Sequence, residues 1–302
     1  MGAGIGMSCT LCPRNCGANR SKGEKGVCGV AGEYILAARA ALHFWEEPCI
    51  SGKNGSGTVF FSGCPLRCVY CQNYDIARTE VGMEISEERL SEIFLELQEK
   101  GAHNINLVTP THYTPEIIRA VRGARAQGLC LPVVYNCSGY EKTETLQMLE
   151  GIADIYLTDF KYMEAEMAKQ YSHAPDYPQK ARAALGEMVR QTGPAAFDGD
   201  GMMKSGVIVR HLLLPGHVKN AKAVVKYVYE TYKDQVYLSL MNQYTPLPQV
   251  QKQFPELARR VTKREYGRLV DYALQLGVEN AFIQEGKTAE ESFIPMFDYE
   301  GL

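Results

Sequence analysis

Six apolar runs rich in β-branched residues alternate with helical patterns through the middle of the chain, and this alternation restricts the fold more than any other feature. Apolar strands that are each followed by a helix are typical of a parallel sheet buried on both faces. Six such units are too few to close an eight-stranded barrel. The sequence therefore predicts an α/β fold, a partial (β/α)6 TIM-type barrel with its functional groups at the carboxyl ends of the strands. The predicted strands cover residues 58–62, 104–108, 131–136, 152–159, 206–214 and 236–241.

Helical patterns lie between these runs. One begins at Ser86, after which apolar residues recur at intervals of three and four residues as far as Leu97. Another begins with Thr114-Pro115, a capping residue followed by proline at the first helical position, and stops before Gly128. Further helices are predicted at residues 141–150, 178–192, 218–233 and 262–276.

The chain divides into three predicted segments. Residues 1–48 are dense in Cys, Gly and Arg and form a Cys-rich N-terminal extension. Residues 49–245 form the partial barrel. Residues 246–302, which begin with several prolines, form a C-terminal extension that packs on the barrel.

Charge and hydropathy exclude several classes of function. The net charge is −3, whereas a nucleic-acid or anionic membrane surface calls for a basic face. No apolar run approaches the roughly 20 residues that cross a bilayer. The first residues lack the basic and apolar regions of a signal peptide. We therefore expect a cytoplasmic protein that binds neither nucleic acid nor membrane.

Seven of the 10 cysteines fall in two clusters within the first quarter of the chain. In a reducing compartment clustered thiols favour metal binding over disulfides. Cys64, Cys68 and Cys71 form a CxxxCxxC motif directly after the first predicted strand. Three thiolates can hold a [4Fe–4S] cluster and leave one iron open, whereas a ferredoxin supplies four. The alternative interpretation is a zinc knuckle with a distant fourth ligand.

A second set of cysteines lies nearer the N-terminus, with spacing able to enclose one metal. Thiolates suit zinc and iron–sulfur clusters alike, and free reduced thiols are a third interpretation. This segment has little apolar content, so a metal would organise it where a core cannot. The four residues are Cys9, Cys12, Cys16 and Cys28. The isolated Cys49, Cys130 and Cys137 are predicted to be buried.

The CxxxCxxC motif, with aromatic Tyr70 before its last cysteine, resembles the signature of the radical S-adenosylmethionine (radical SAM) superfamily. The wider sequences Ser62–Asn73 and Cys12–Gly17 are similar to the enzymes that activate glycyl radical enzymes, and most closely to the pyruvate formate-lyase activating enzyme-like group. This resemblance implies an oxidoreductase in which Cys64, Cys68 and Cys71 bind the cluster and SAM chelates the open iron. One electron then cleaves SAM to methionine and a 5′-deoxyadenosyl radical that abstracts hydrogen. It also implies a glycyl radical enzyme or peptide as substrate and a flavodoxin- or ferredoxin-type reductant.

The resemblance further implies SAM contacts at the ends of the later strands. Thr109 stands where family members carry a Gly-Gly-Glu-like motif for the SAM amine, so this contact departs from the pattern. Asp159 and Lys161 lie two residues apart and point to the same side of an extended segment. An alternative is that they form an ion pair closing the barrel, with Arg210 as their partner. The predicted cofactor-binding residues are Cys64, Cys68, Tyr70, Cys71, Thr109, Asn136, Ser138, Asp159, Lys161 and Arg210.

Two further hypotheses about the function remain open. Within the same chemistry, the chain is an enzyme that modifies a peptide side chain or a small metabolite. In another class, it is a non-catalytic iron–sulfur electron-transfer protein or a zinc scaffold. A polar and aromatic cluster before the barrel either lines the substrate side or belongs to a helix end packed on the barrel. Its members are His43, Trp45, Glu46 and Glu47.

Overall fold

The computed structural model describes residues 8–32, 34–284 and 295–302, and its central element is one open sheet. The strands run in the order β10-β9-β8-β6-β5-β4-β2-β1-β3, and β7 pairs with β8. Because β10 and β3 lie at opposite ends of this order, the sheet is not closed. The strands are β1 (Ile35–His43), β2 (Ser56–Phe61), β3 (Met83–Ile85), β4 (Ile105–Val108), β5 (Val133–Cys137), β6 (Ile155–Asp159), β7 (Ala196–Phe197), β8 (Met203–Leu212), β9 (Val236–Met241) and β10 (Ala281–Ile283).

From β10 to β2 in this order, each strand is parallel to the next one. The strand β1 is antiparallel to both β2 and β3. Every residue of β2 and β4 is buried, as expected for strands covered on both faces. Parallel pairing brings the carboxyl ends of the strands to one edge of the sheet. The predicted α/β fold with an open sheet is thereby confirmed.

The described residues contain ten α-helices, and none of these helices is long and apolar enough to cross a membrane. In α3 the Ser86 hydroxyl accepts a hydrogen bond from the Arg89 amide, the predicted cap, and Leu90, Phe94 and Leu97 are buried. The helices are α1 (Pro48–Ser51), α2 (Tyr74–Ala77), α3 (Glu87–Glu99), α4 (Thr114–Ala126), α5 (Thr143–Gln147), α6 (Ala165–Ser172), α7 (Tyr177–Thr192), α8 (Val218–Tyr232), α9 (Pro248–Gln253) and α10 (Lys263–Leu276).

The six predicted strands correspond to β2, β4, β5, β6, β8 and β9, and the six predicted helices to α3, α4, α5, α7, α8 and α10. Four strands were not predicted. Of these, β1 lies in the segment expected as an extension, yet it pairs with β2 over most of its length. The last strand, β10, adds a parallel neighbour to β9 from the C-terminal segment. The sheet therefore recruits chain from both sides of the predicted barrel.

Candidate active site

A cavity of about 760 Å³ lies at the carboxyl ends of the parallel strands. Small-molecule sites are commonly cavities of roughly 300–1,000 Å³, and parallel α/β folds place them at this edge. The cavity wall brings together all ten residues that the sequence predicts for the cluster and SAM, although they come from four strand ends and one loop. These residues are Cys64, Cys68, Tyr70, Cys71, Thr109, Asn136, Ser138, Asp159, Lys161 and Arg210.

The three motif cysteines sit on the loop that follows β2, residues 62–73, which we call the cluster loop. Gly63 makes its first turn with φ +91°, in the left-handed region that favours glycine. A Cβ added there would lie 2.7 Å from Val30 and 2.9 Å from the carbonyl oxygen of Cys28. Only glycine therefore lets the loop and the N-terminal segment approach this closely.

A further cysteine, Cys137, also lines the cavity, at the end of β5. Its thiol lies 3.4 Å from the hydroxyl of Thr158 on the neighbouring strand. It is fully buried, as is Cys49, which agrees with the prediction. The prediction was wrong for Cys130, which is exposed because it lies in a surface connection, where its amide donates to the Gln98 side chain.

The back of the cluster loop is held by the N-terminal segment, residues 8–32. Arg14 donates to the carbonyl oxygens of Pro65 at 2.9 Å and Leu66 at 3.1 Å. The same guanidinium donates to the carbonyl oxygens of Ser172, at 2.7 Å, and His173, so it joins the loop to α6. A planar fork of donors suits such a junction of carbonyls.

Backbone contact reinforces this junction. The Cys64 amide donates to the carbonyl oxygen of Cys28 at 3.2 Å. Arg67 donates to the carbonyl oxygen of Val27 at 3.2 Å. Both contacts involve main-chain oxygens, so they fix the path of the cluster loop without depending on the ionisation of a neighbour.

A buried series of hydroxyl groups runs from the motif to α6. The hydroxyl oxygens of Tyr70 and Tyr162 are 2.7 Å apart, and those of Tyr162 and Ser172 are also 2.7 Å apart. Ser172 then donates to the Cys68 sulfur at 3.1 Å. All four residues are buried. No local sequence pattern indicates this contact, because Ser172 lies 104 residues after Cys68.

Asp159 and Lys161 form an ion pair of 2.6 Å at the end of β6. Burial opposes the charge of Lys161, but the Asp159 carboxylate outweighs it, so the pKa of this ammonium lies above its usual value. The Tyr177 hydroxyl accepts from the Lys161 amide at 2.9 Å and donates to the Ser138 carbonyl at 2.8 Å. The pair is therefore fixed relative to the end of β5.

Arg210 lies in a cluster with two carboxylates rather than with Asp159 and Lys161. Its guanidinium makes bonds of 2.8 and 2.6 Å to Glu47 and also bonds Glu46. The alternative that made Arg210 a partner of the Asp159–Lys161 pair was thus wrong, because the guanidinium is bonded to Glu46 and Glu47, which precede α1. The cluster carries one positive and two negative charges, which leaves this wall with an excess negative charge.

Two amide groups complete the environment of Glu46. The side-chain amides of Asn106 and Asn136 donate to its Oε1 atom at 2.9 and 3.3 Å. The polar and aromatic cluster before α1 lines the cavity, and Glu47 stands at the start of α1. The cluster therefore lies both on the cavity wall and next to a helix end.

Thr109 and Gly139, the residue after Ser138, have left-handed backbone conformations near the strand ends. Thr109 has φ +58°, a left-handed conformation that a β-branched residue rarely adopts. Its amide donates to the Asn136 carbonyl at 2.9 Å. Next to Ser138, an added Cβ on Gly139 would lie 2.1 Å from the Asp159 carbonyl oxygen. Strained positions of this kind cluster at functional sites.

The thiols of the cluster loop suit a multi-iron group. Desolvation raises the pKa of Cys64 to about 11 and that of Cys71 to about 12. At neutral pH such thiols are deprotonated only when a bound cation takes the place of the proton. The irons of a cluster supply that positive charge. Among the described residues no three His, Cys, Asp or Glu side chains converge on one ion. A [4Fe–4S] cluster does not require that convergence, because its thiolates bind separate irons.

The four N-terminal cysteines lie behind the cluster loop. Cys12 and Cys28 are buried, Cys9 is half-buried and Cys16 is exposed. Burial raises the pKa of the Cys12 thiol to about 12. An added Cβ on Gly26 would lie 3.2 Å from the Cys16 sulfur and 3.4 Å from the Cys28 sulfur. These two sulfurs are therefore neighbours.

The far wall of the cavity was not predicted. It includes Ser239 and Met241 on β9, Gln243, the residues 281–284 and Pro295. Gln72 of the cluster loop donates to the Gln243 carbonyl at 2.9 Å, which joins the two walls. The predicted barrel ends at β9, and a strand as short as β10 carries no sequence pattern that would place it beside the site.

Comparison with known proteins relates part of the chain to one family model. Residues 58–193 match the model of the radical SAM superfamily. An uncharacterized protein of Methanocaldococcus jannaschii is 26% identical over 275 residues, which cover 89% of this chain and 75% of that protein. The pyruvate formate-lyase activating enzyme-like group predicted from the motifs is not identified by these matches.

Solved structures share the fold at low identity. A radical SAM methyltransferase from Sphaerobacter thermophilus superposes with a TM-score of 0.53 at 14% identity, over 78% of this chain and 68% of that one. SuiB of Streptococcus suis, bound to its precursor peptide SuiA, gives a TM-score of 0.51 at 12% identity, over 75% of this chain. This chain spans about half of SuiB, 48% of its length.

Proposed function

The chain carries a radical SAM superfamily domain, and from this premise we propose that it cleaves SAM reductively and abstracts hydrogen from a polypeptide substrate. The observation that carries the proposal is the convergence of three loop thiols and six polar or charged strand-end residues on one cavity. When bound, the cluster and SAM supply a one-electron reductive cleavage of the sulfonium and a carbon radical that abstracts hydrogen. The electron comes from a flavodoxin- or ferredoxin-type protein.

The residues of the chain have distinct roles in this proposal. Cys64, Cys68 and Cys71 would hold the cluster through three of its irons, so that the remaining iron would be available to SAM. The Lys161 ammonium, held by Asp159, offers a positive charge to the carboxylate of SAM. These side chains approach SAM from rigid strand ends, which orients it and excludes water.

Further polar groups bind the rest of SAM. Asn136 and Ser138 offer hydrogen bonds to the ribose and the methionyl part, and Thr109 offers its hydroxyl in the absence of a Gly-Gly-Glu motif. The Tyr70 ring packs at the base of the cavity. The Arg210 cluster, with its excess negative charge, suits the cationic amine and sulfonium of SAM.

The rim of the cavity favours a polypeptide over a small metabolite. Phe44 and Trp45 line the cavity, and they are 50% and 56% exposed. Exposed aromatic side chains beside a cavity are typical of surfaces that bind peptides and proteins. A glycyl radical enzyme is the specific substrate we propose, and an enzyme acting on another peptide or on a small metabolite is the alternative.

The first experiment tests the chemistry. We expect protein purified anaerobically, reconstituted with iron and sulfide and reduced with dithionite to convert SAM to methionine and 5′-deoxyadenosine. Cys71→Ala removes one of the three ligands and should abolish both products, while Cys130→Ala, which changes an exposed cysteine, should retain them. Cleavage by Cys71→Ala at the wild-type rate, or none by fully reconstituted wild type, would refute the proposal.

Cys137→Ala separates the enzyme from the non-catalytic alternative. With only three ligands from the chain, this variant keeps a [4Fe–4S] cluster and cleaves SAM. If Cys137 were a fourth ligand, its removal would destabilise the cluster, and wild type would transfer electrons without cleaving SAM.

A second experiment tests the substrate class. Incubation with SAM and a candidate glycyl radical enzyme should generate the electron paramagnetic resonance signal of a glycyl radical on the partner. Phe44→Ala with Trp45→Ala should weaken this reaction while SAM cleavage without substrate stays unchanged. Equal turnover of a small metabolite by wild type and double variant would favour the alternative.

The N-terminal cysteines support a second, separate proposal for a metal. We propose that Cys9, Cys12, Cys16 and Cys28, which do not converge on one ion in the metal-free chain, close around a zinc ion or a second iron–sulfur cluster when it binds. The neighbouring sulfurs of Cys16 and Cys28 support this proposal. Metal analysis of a Cys9→Ser/Cys12→Ser double variant beside wild type should show the loss of that metal with the iron of the cluster loop retained. Identical metal contents would refute this second site.

A further inference from the structure

The three cysteines of the cluster loop differ in what faces their sulfurs. Backbone amides of Leu66 and Arg67 contact the Cys64 sulfur, and that of Asn73 contacts Cys71. Cys68 instead receives the Ser172 hydroxyl at 3.1 Å. Among the described residues, this is the one side-chain hydroxyl hydrogen-bonded to a sulfur of the motif, and it belongs to α6 rather than to the loop.

The hydrogens along this series can be assigned by elimination. A cysteine that binds iron has no proton, so Ser172 must donate to Cys68. Because a hydroxyl has one hydrogen, Tyr162 must donate to Ser172, and Tyr70 must in turn donate to Tyr162. The three O–H dipoles therefore point the same way, toward the sulfur, and polarise one another.

Such a series acts differently on the two oxidation states of a cluster. Reduction adds one negative charge, which spreads onto the ligand sulfurs. A donor hydrogen aimed at a sulfur stabilises that added charge, and the effect is large in surroundings that exclude water. All three hydroxyls are on buried residues, with Tyr162 and Ser172 fully enclosed.

We propose that Ser172 tunes the cluster of the cluster loop, raising its reduction potential through the Cys68 sulfur, and that Tyr162 and Tyr70 strengthen this effect. The proposal rests on the proposed function, in that it requires the cluster. Ser172 is a positioning residue here, since it acts on the iron through a cysteine. The step it affects is the uptake of one electron from the donor, with no proton transferred along the series.

The experiment is a redox titration of the reconstituted cluster, followed by its visible absorbance and by electron paramagnetic resonance. Ser172→Ala should lower the potential, with about a tenfold fall in the ratio of reduced to oxidised cluster at a fixed applied potential, which corresponds to about 59 mV for one electron. Tyr162→Phe should shift it the same way by less, and Tyr70→Phe by least. Ser172→Thr, which keeps the hydroxyl, should restore the wild-type value.

A matched control comes from the neighbouring residue. The Tyr171 hydroxyl contacts His217 at 3.0 Å and Glu256 at 2.7 Å, away from any sulfur. Tyr171→Phe removes a hydroxyl from the same helix and should leave the potential unchanged. A shift in Tyr171→Phe equal to that in Ser172→Ala would show a general effect of α6 and would overturn the proposal.

The outcomes separate this proposal from the one on which it rests. Wild type that assembles no cluster, or does not cleave SAM, overturns the proposed function. Wild type that cleaves SAM, together with a Ser172→Ala cluster of unchanged potential, overturns only the tuning by Ser172. If Ser172→Ala does not assemble its cluster, Tyr162→Phe decides, since it keeps Ser172 in place and an unchanged potential there overturns the proposal.

Discussion

The two sides of the cluster loop face different kinds of groups. On the cavity side the surrounding groups are charged side chains, the Asp159–Lys161 pair and Arg210 with two carboxylates. On the back, Arg14 and the amide of Cys64 bond to main-chain carbonyl oxygens. Carboxylates titrate and exchange partners with a ligand, whereas carbonyls do neither. The front of the loop is therefore equipped for binding, and the back maintains its shape.

The largest effect is expected on the cavity side, from Arg210→Met. Burial alone would raise the pKa of Glu47, but the Arg210 guanidinium outweighs burial and holds it below the usual value. Removing one member of a buried ion pair costs about 3–5 kcal/mol. We expect a loss of about that size in the free energy of unfolding at neutral pH, measured by urea denaturation.

The pH dependence of the same variant sharpens the comparison. In wild type the depressed pKa of Glu47 contributes stability that is complete above about pH 4.3 and is lost as the pH falls through the folded-state pKa. In Arg210→Met, burial raises that pKa, so stability is instead lost as the pH rises above about 4.3. The control is Arg119→Met, which breaks the exposed ion pair of Arg119 with Glu87 and should leave the pH dependence of stability as in wild type. Equal slopes of stability against pH in wild type and Arg210→Met would contradict the role of the Arg210–Glu47 pair.

A smaller effect is expected from Gly63→Ala, at the point where the cluster loop lies against the N-terminal segment. In Gly63→Ala the new methyl group meets Val30 and a carbonyl oxygen within 3 Å, in addition to the strain of φ +91°. We expect a loss of about 3 kcal/mol in unfolding free energy. Gly23→Ala, at φ +81° with no atom within 4 Å, should lose only about 1 kcal/mol. Similar losses in the two variants would show that the close approach at Gly63 is unimportant.

The smallest effect is expected from Arg14→Ala on the back of the loop. Hydrogen bonds from a charged donor are individually worth about 1.5–3 kcal/mol, and this partly exposed guanidinium should contribute about 2 kcal/mol in total. Because its partners are carbonyls, the loss should be the same at every pH from 4 to about 8. If the loss of unfolding free energy varied with pH as it does for Arg210→Met, the two sides of the cluster loop would not differ in this respect.

Much of the fold could be predicted from the sequence, because buried parallel strands carry near-continuous apolar runs. The runs that became β4 and β6 are of this kind. By contrast β1 consists largely of alanine, a residue without strand preference, and β10 has three residues, too few to show a period. Both strands form because the neighbouring strand offers unpaired backbone groups, a property of the assembled sheet.

The site was predictable where a short motif or a strand end determines position. The spacing of Cys64, Cys68 and Cys71 places three thiols on one loop, and the rule for strand ends brings Asp159 and Lys161 beside them. The contacts of Arg210 with Glu47 and of Ser172 with Cys68 join residues more than 100 positions apart. Such contacts follow from the packing of the whole chain and leave no local pattern.

The cavity wall formed by residues 281–284 has a consequence for biosynthesis. The ribosome makes this wall about 210 residues after Cys71. Until these residues are made, one part of the cavity wall is absent, so the three loop sulfurs border a wider opening than in the finished chain. The last strand therefore narrows the access to a site whose cysteines belong to the first quarter of the chain.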